Sequence, residues 1–372
     1  MALDTWLEKY LQIRKEKNLF RELKTSTGLV DFCSNDYLGL ARSEILSDQI
    51  EARCQAIKLK QNGSTGSRLL SGNSKLTEEV EHKLASIFGS QSALILNSGY
   101  TANLAIFSSI PGKHDSILYD ELAHASIKDG ARLSLAHRYS FKHNDLNDLE
   151  SKLKKINGKV FIAVESVYSM DGDECPLRDL TSLAAQYGAF VILDEAHSTG
   201  VIGNNGSGLA TSLGLEKNID VRLYTFGKAM GVHGACVAGS EKLIQYLINF
   251  ARPFIYTTSL APHSIIAIES AFHYLQQNLD LQRVLQKNIE SFVNGVGTLT
   301  NRTLSRSAIQ TVLFPGNKNS KANASKLQQT GFDIRPVLSP TVPTGTERLR
   351  ICLHTYNTLD EIAKLTGELN KL

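Results

Sequence analysis

Three side chains in this sequence have the types and spacing for covalent cofactor chemistry. Lys228 lies in the glycine-punctuated segment TFGKAMGVHG, at the end of the apolar run VRLYT (residues 221–225). Asp194 and His197 end another apolar run, AFVILDEAH. A lysine amine among small residues can condense with an aldehyde, and a carboxylate can keep a pyridine nitrogen protonated. The three residues therefore predict a pyridoxal phosphate site, with Lys228 on the aldehyde, Asp194 at the ring nitrogen and His197 at the phenolic oxygen.

The phosphate of such a cofactor needs backbone amides at a helix N-terminus. The segment NSGYTANLAIFSSI (residues 97–110) predicts a helix that opens with Ser98, Gly99 and Tyr100. Thr225, three residues before Lys228, adds a hydroxyl. These residues predict the phosphate-binding part of the site.

Two nucleotide-binding interpretations of these motifs are excluded, the first by a missing residue type and the second by spacing. VILDEAH resembles the magnesium-binding acidic box of a helicase-type NTPase, which also needs G-x-x-x-x-G-K-[ST]. The three Gly-Lys pairs, at 112–113, 158–159 and 227–228, are followed by His, Val and Ala. Gly227, Gly231 and Gly234 have the spacing G-x3-G-x2-G rather than the dinucleotide-binding G-x-G-x-x-G.

Taken singly, each site residue also has a structural interpretation. Asp194 could be a strand-end turn carboxylate, Lys228 a solvated cation, and His124, in ELAHASIKDG, a structural histidine. What favours a cofactor site is the ordered combination of a glycine-led helix start, a histidine, Asp-x-x-His and Thr-x-x-Lys.

The elements that must position these residues alternate between apolar strand-like runs and helical patterns from about residue 92 to 239. KVFIAVES (159–166) and AFVILDEAH (189–197) flank DLTSLAAQYG (179–188), which has a helical pattern stopped by glycine. Strand runs without polar alternation indicate a mostly parallel sheet that is covered on both faces. The sequence predicts a doubly wound α/β domain, in which ligands bind beyond the carboxyl ends of the strands.

The flanking regions predict three divisions of the chain. Residues 1–45 form an N-terminal arm with an amphipathic helix, residues 46–265 the large cofactor-binding α/β domain, and residues 266–372 a smaller C-terminal α/β domain. The closing helix begins with a capping-box signature, Thr358-x-x-Glu361.

Composition narrows the class of protein. The 40 basic and 37 acidic residues give a net charge of +3 without a basic stripe, so nucleic-acid binding is not expected. No apolar run approaches the ~18 residues of a membrane helix. The five cysteines contain no C-x-x-C, which argues against a disulfide framework or a metal site. We expect a cytoplasmic protein that binds neither metal nor membrane.

Six motifs spread over nearly the whole chain resemble those of one family: FCSNDYLGL, NSGYTANLA, ESVYSMDGD, LDEAHSTGVIG, TFGKAMGVHGA and PTVPTGTERLRI. They are similar to the successive motifs of the α-oxoamine synthases, pyridoxal-phosphate-dependent acyltransferases of fold type I. The resemblance implies an aspartate-aminotransferase-like fold. It also implies condensation of an amino acid with an acyl thioester, with loss of carbon dioxide.

The resemblance further implies a role for individual residues. Lys228 and His124 are the implied catalytic residues, with His124 stacked on the cofactor ring. The implied cofactor-binding residues are Gly99, Tyr100, His124, Ser169, Asp194, His197, Thr225, Lys228, Thr257 and Thr258. The implied substrate-binding residues are Arg21, Asn35, His124, Arg335, Thr341 and Arg350. Thr257 and Thr258 resemble residues that complete the phosphate site of a neighbouring subunit, which implies a homodimer with its active site at the subunit interface.

Within the family, the motifs around Lys228 and Pro343 favour L-alanine and a pimeloyl thioester, on coenzyme A or acyl carrier protein. Glycine with acetyl-CoA or succinyl-CoA, and serine with a long acyl chain, stay open as alternatives. So does a non-catalytic binding protein that keeps the fold. The chain departs from the family pattern at Thr77, where a histidine is usual, and at Ala229 and His233.

Overall fold

The computed structural model describes residues 2–23, 25, 28–297, 299–303 and 305–372. The strands are β1 (Val30–Asp31), β2 (Ser92–Leu96), β3 (Ser116–Asp120), β4 (His137–Phe141), β5 (Val160–Glu165), β6 (Phe190–Asp194), β7 (Val221–Thr225), β8 (Ala235–Gly239), β9 (Ile309–Leu313), β10 (Phe332–Asp333), β11 (Arg335–Val337) and β12 (Arg348–Cys352). The α-helices are α1 (Leu3–Glu16), α2 (Glu44–Ala56), α3 (Lys75–Ile87), α4 (Gly99–Ser109), α5 (Ala125–Leu133), α6 (Leu146–Leu153), α7 (Leu177–Gln186), α8 (Leu209–Ser212), α9 (Glu241–Phe250), α10 (Arg252–Ile255), α11 (Pro262–Gln277), α12 (Asp280–Gly295), α13 (Asn317–Gln329) and α14 (Leu359–Leu369).

The chain divides into two compact units. The larger unit comprises Asn35–Ser169 and Asp173–Leu285, and the smaller unit comprises Met1–Ser34, Met170–Gly172 and Gln286–Leu372. Helix α11 therefore lies wholly in the larger unit. The three divisions drawn from the sequence stay a prediction.

A seven-stranded sheet forms the centre of the larger unit, in the order β2-β8-β7-β6-β5-β3-β4. Strands β4, β3, β5, β6 and β7 pair in parallel, whereas β8 is antiparallel to both of its neighbours. The predicted doubly wound, mostly parallel sheet is confirmed. Glu165 of β5 lies opposite Asp194 of β6, so two carboxylates meet at the carboxyl edge of the sheet.

Both faces of this sheet are covered, which explains why its strands lack polar alternation. Ile192 of β6 belongs to one buried apolar cluster, with residues of α4, α5 and α9. Its neighbours Val191 and Leu193 belong to the other cluster, with residues of α6, α7 and α8. Alternate apolar residues of a strand thus pack against the two different helix layers. This packing on both faces fixes the strand ends, from which the site residues extend.

The smaller unit contains a three-stranded antiparallel sheet, β11-β12-β9, and the parallel pair β1-β10. The capping box of α14 is confirmed, because the Thr358 N–H donates to Glu361 Oε2 (2.8 Å) and the Glu361 N–H donates to Thr358 Oγ1 (3.2 Å). Helix α1 is present, and none of its residues is buried within this chain. Among the residues that the structure describes, no helix is both long and apolar enough to cross a bilayer.

Candidate active site

Asp194 is the last residue of β6 and is 5% exposed. Each of its carboxylate oxygens accepts one hydrogen bond from a fixed donor. The backbone N–H of Ala196 donates to Oδ1 (2.9 Å), and Asn103 Nδ2 donates to Oδ2 (2.8 Å). A buried carboxylate held by two donors keeps its orientation, so Asp194 is a well-defined negative charge at the sheet edge.

Lys228 follows β7 in the turn before β8, and its Nζ lies 2.8 Å from His197 Nε2. The other ring nitrogen of His197 lies 2.8 Å from the hydroxyl of Tyr37, and this hydroxyl donates to Asn35 Oδ1 (3.0 Å). The structure thus brings the predicted residues Lys228, His197 and Asn35 into one hydrogen-bonded chain. Tyr37, buried with 1% exposure, joins them.

The turn that carries Lys228 depends on a glycine. Gly231 has φ +67°, and a Cβ there would lie 2.3 Å from the backbone nitrogen of Ala41. No side chain fits at that distance, so the turn packs directly against the backbone of residues 40–41. This close approach fixes the position from which Lys228 extends.

His124 precedes α5 and caps it, because its Nδ1 accepts the backbone N–H of Ser126 (3.2 Å). Its own backbone N–H donates to Glu165 Oε1 (2.6 Å). Burial raises the pKa of Glu165 to about 8, with the Asp194 charge acting in the same direction. Burial also lowers the pKa of His124, so its imidazole is favoured in the neutral form.

The predicted phosphate site includes the N-terminus of α4, where a Cβ at position 99 would fit only tightly. Ser98 caps α4 by accepting the Thr101 N–H (3.2 Å), and a Cβ on Gly99 would lie 3.3 Å from Cβ of Thr225. Gly99 and Thr225 are therefore neighbours, as the cofactor prediction requires. The hydroxyl of Tyr100 donates to Asp129, and the rings of Tyr100 and His124 lie nearly perpendicular with their centroids 6.5 Å apart.

Thr257 and Thr258 lie next to this helix start in the same chain. Asn97 Nδ2 donates to the Thr258 carbonyl (2.9 Å) and lies 3.4 Å from Thr257 Oγ1. That Thr257 and Thr258 complete the phosphate site of a neighbouring subunit stays a prediction.

Ser169 is 6% exposed and lies in the turn after β5. Asp173, at the end of the same loop, is held by His143, which also contacts a second carboxylate, Asp120. His143 Nδ1 lies 2.9 Å from Asp120 Oδ1, and its Nε2 lies 2.7 Å from Asp173 Oδ2. Although burial opposes it, hydrogen bonds to Asp120 and Asp173 raise the pKa of His143 to about 10.

The raised pKa of His143 predicts a pH dependence of stability. The protonated ring stabilises the fold fully below its ordinary pKa of 6.5, and this contribution is lost as the pH rises through about 10. We expect His143→Gln to lower the free energy of unfolding by roughly 3 kcal/mol at pH 6 and by much less at pH 10.5. Urea unfolding at the two pH values measures this difference. His137→Gln, at an exposed position of β4, is the control and should have little effect at either pH. A deficit for His143→Gln that is equal at both pH values would contradict the ion-pair explanation.

Four predicted substrate residues lie in the smaller unit. Arg21 Nη2 donates to Thr341 Oγ1 at 3.5 Å, a long hydrogen bond. Arg335 and Arg350 face each other across the β11–β12 pair, and Arg335 Nε forms an ion pair with Asp333 (2.6 Å). Arg350 Nη1 lies 2.9 Å from Cys352 Sγ. The structure therefore groups Arg21 with Thr341, and Arg335 with Arg350.

A cavity of about 300 Å³ in the smaller unit is lined by both Arg21 and Thr341. Arg14 adds a second guanidinium, and Phe20 and Leu338 are among its apolar lining residues. A cavity with apolar walls and two cations suits an aliphatic chain that ends in a carboxylate.

The donor set in the larger unit fits pyridoxal phosphate. It offers an amine at Lys228, a buried carboxylate at Asp194, an imidazole at His197 and a helix N-terminus at Gly99, where a Cβ would contact Thr225 tightly. Within the described part of the chain, no group of His, Cys, Asp and Glu side chains has the arrangement of a metal site.

Four buried polar residues that were not predicted from the sequence support this set. They are Tyr37, Asn103, Ser126 and Glu165, all within segments quoted for other residues. Asn103 gave the clearest sequence signal for such support, since it lies inside the otherwise apolar helical segment NSGYTANLAIFSSI. A buried amide must find hydrogen-bond partners.

The chain is similar to known proteins in both sequence and structure. The model of the aminotransferase class I and II family matches residues 27–365. An 8-amino-7-oxononanoate synthase from Emericella nidulans is 39% identical over 96% of this chain and 92% of that protein. The crystal structure of an 8-amino-7-oxononanoate synthase from Francisella tularensis is 32% identical, with a TM-score of 0.80 over 92% of this chain and 97% of that one. A serine palmitoyltransferase from S. paucimobilis is 26% identical, with a TM-score of 0.90 over 100% of this chain and 98% of that one.

Proposed function

The chain belongs to the aminotransferase class I and II family, and we propose that it condenses L-alanine with a pimeloyl thioester in the biotin pathway. Its relatives at 36–39% identity are named 8-amino-7-oxononanoate synthase, and it is a pyridoxal-phosphate-dependent acyltransferase. The product in that name, 8-amino-7-oxononanoate, has a chain of nine carbons. Seven of them would come from a dicarboxylic acyl group and two from alanine. In the reaction a bond forms between the alanine α-carbon and the thioester carbonyl carbon, while the thiol and carbon dioxide leave.

The observation that carries the choice of acyl group is the two-arginine cavity of the smaller unit. A pimeloyl chain ends in a carboxylate, which guanidinium groups such as those of Arg21 and Arg14 can bind in a forked geometry. The apolar lining at Phe20 and Leu338 suits the methylene chain between that carboxylate and the thioester.

When bound, pyridoxal phosphate supplies an electron sink for the carbanion at the amino-acid α-carbon. Asp194 would hold a proton on the ring nitrogen, and Gly99 and Thr225 would hold the phosphate. Ser169 and His197 would contact the phenolic side of the ring, and His124 would stack on its face.

Lys228 and His197 would handle the protons of the reaction. Lys228 Nζ would remove the α-proton of alanine and return a proton after carbon dioxide has left. His197 Nε2, 2.8 Å away, would exchange a proton with that amine. His124 would donate a hydrogen bond to the acyl oxygen, where negative charge develops during the condensation.

Asn35 and Arg350 would bind the amino-acid carboxylate, and Thr341 and Arg335 would contact the remaining substrate. We also propose a homodimer in which Thr257 and Thr258 serve the neighbouring phosphate site. Exposed apolar side chains on α1, such as Trp6 at 49% and Leu3 at 69%, support an interface with a second copy. The cytoplasmic location stays a prediction.

A second candidate function is the condensation of serine with a long acyl chain. The TM-score of 0.90 to a serine palmitoyltransferase favours it, although the sequence identity to that protein is only 26%. A palmitoyl chain has no terminal carboxylate, so it would leave the arginines of the cavity without a substrate anion. The two functions therefore differ in what Arg21 recognises.

Substrate pairing tests the proposal directly. We expect the wild-type enzyme with L-alanine to prefer pimeloyl-CoA over heptanoyl-CoA by at least about tenfold in kcat/KM, since only the former carries the distal carboxylate. Arg21→Ala should raise the KM for pimeloyl-CoA and remove that preference. Arg138→Ala, on the exposed part of β4, is the matched control and should keep it. Turnover with serine and palmitoyl-CoA instead would replace the proposed function by the second candidate.

A further inference from the structure

Two buried polar residues connect the proposed ring-nitrogen partner to the proposed stacking histidine. Asn103, in α4, is 1% exposed, and Ser126, in α5, is also 1% exposed. Asn103 Nδ2 lies 2.8 Å from Asp194 Oδ2 and 2.9 Å from Ser126 Oγ. Ser126 Oγ lies 2.7 Å from His124 Nδ1. We call the series Asp194–Asn103–Ser126–His124 the buried bridge.

We propose that the buried bridge fixes the proton of His124 on Nε2, so that Asn103 and Ser126 are positioning residues for both Asp194 and His124. The inference rests on the roles of Asp194 and His124 in the proposed function. It concerns atoms whose contacts all lie within the larger unit.

The direction of each hydrogen bond follows from which atoms can donate. The ionised carboxylate of Asp194 can only accept, so the amide edge of Asn103 that faces it must be the NH2 group. The two N–H bonds of that group are then both used, one at Asp194 Oδ2 and one at Ser126 Oγ. The opposite orientation would place Oδ1 of Asn103 against the carboxylate. Oδ1 is instead buried without a hydrogen-bond partner among the described residues.

The proton of Ser126 is assigned in the same way. Its Oγ already accepts from Asn103, so its single hydroxyl proton is directed to His124 Nδ1 at 2.7 Å. The backbone N–H of Ser126 also donates to Nδ1, at 3.2 Å. With two donors aimed at it, Nδ1 must present its lone pair. A neutral His124 therefore carries its proton on Nε2.

The charges around His124 favour this neutral form. Burial lowers the pKa of His124, and the nearby Lys228 and Lys128 act in the same direction, whereas Asp194 and Asp129 act against them. The Glu165 carboxyl accepts the backbone N–H of His124, and the Tyr100 ring lies nearly perpendicular to the imidazole. The ring thus offers one N–H donor, at Nε2, on the edge away from Ser126. A donor fixed in advance at the acyl oxygen avoids the cost of reorientation during the reaction.

The tautomer can be measured without turnover. In protein labelled with ring-15N histidine, we expect His124 to show a pyridine-type Nδ1 and a pyrrole-type Nε2 near neutral pH, assigned by loss of these signals in His124→Asn. Ser126→Ala removes the hydroxyl donor, so the preference for Nε2–H should weaken and the ring should protonate at higher pH. Ser108→Ala, at a serine of α4 whose hydroxyl donates to the Leu104 carbonyl, should change neither. A pyrrole-type Nδ1 in the wild-type protein would overturn the inference.

Kinetic measurements on the cofactor-loaded enzyme provide a second test of the buried bridge. Asn103→Ala and Ser126→Ala should each lower kcat/KM by about tenfold, because each deletes two hydrogen bonds of the buried bridge, and the bond between Asn103 and Ser126 is lost in both variants. The double variant should lose little more than either single one, since both act through the same bridge. A loss of about a hundredfold in the double variant would mean independent effects and would contradict the bridge.

Two further readouts separate the possible failures. The acid limb of the kcat/KM profile should move to higher pH in Ser126→Ala, which a purely structural role would not cause. If Asn103→Ala does not fold, Ser126→Ala, which removes one oxygen, decides the question by its nitrogen signals and this pH profile. Wild-type protein with the expected nitrogen signals but no turnover of alanine and pimeloyl-CoA would contradict the proposed function while supporting the bridge.

Discussion

Replacing Lys228 by alanine is expected to abolish turnover and the visible absorption of the lysine-bound cofactor. The lysine amine is the one group proposed both to bond to the cofactor and to move the α-proton of alanine, so no neighbouring side chain can substitute for it. His197 Nε2, 2.8 Å from Nζ in the wild-type protein, would lose its exchange partner. We expect kcat to fall by at least about 10³-fold.

Absorption spectra and a product assay of the purified variant measure both effects. Lys242→Ala removes a lysine from an exposed position at the start of α9 and should behave as the wild type. The loss at Lys228 should appear in kcat, with the variant still binding pyridoxal phosphate without a covalent bond. Normal turnover by Lys228→Ala would remove the basis of the proposed function.

The sheet and the residues that follow its strands could be predicted because each is encoded locally. An apolar run such as AFVILDEAH specifies a strand buried on both faces, and the first polar residue after the run marks where the strand ends. Parallel pairing then brings such ends to one edge, so Asp194 and Lys228 could be predicted from the sequence to belong to one site. The reversal of β8 could not be predicted, since the run ACVAG has the same pattern in either direction.

The buried hydrogen-bond partners could not be predicted for a different reason. Asn103 contacts Asp194 across 91 positions of the sequence, and Tyr37 contacts His197 across 160. Such pairs depend on how helices and turns dock on the sheet, which no local periodicity records. Sequence motifs therefore locate the groups proposed to meet the cofactor, whereas the structure shows which residues orient them.

Asp194→Asn is expected to lower kcat by at least about 10²-fold while leaving the fold intact, because two effects act together. The first is loss of the negative charge proposed to keep the ring nitrogen protonated. The second comes from the donors around the carboxylate. Ala196 N–H points at Oδ1 and Asn103 Nδ2 points at Oδ2, and an asparagine has only one acceptor oxygen. Either one of the two donors then faces an NH2 group, or Asn103 rotates its amide and loses its hydrogen bond to Ser126.

The same argument predicts what a second substitution would do. In Asp194→Asn combined with Asn103→Asp, the carboxylate moves to position 103 and the donor–acceptor pairing between positions 103 and 194 is restored. The charge no longer lies at the end of β6, and the Ser126 hydroxyl would donate to position 103 instead of His124. Thermal unfolding should therefore recover toward the wild-type midpoint, whereas kcat should stay low. Asp48→Asn, at an exposed site on α2, controls for the loss of one carboxylate elsewhere. Recovery of kcat along with stability would show that hydrogen bonding at this position matters and the charge of Asp194 does not.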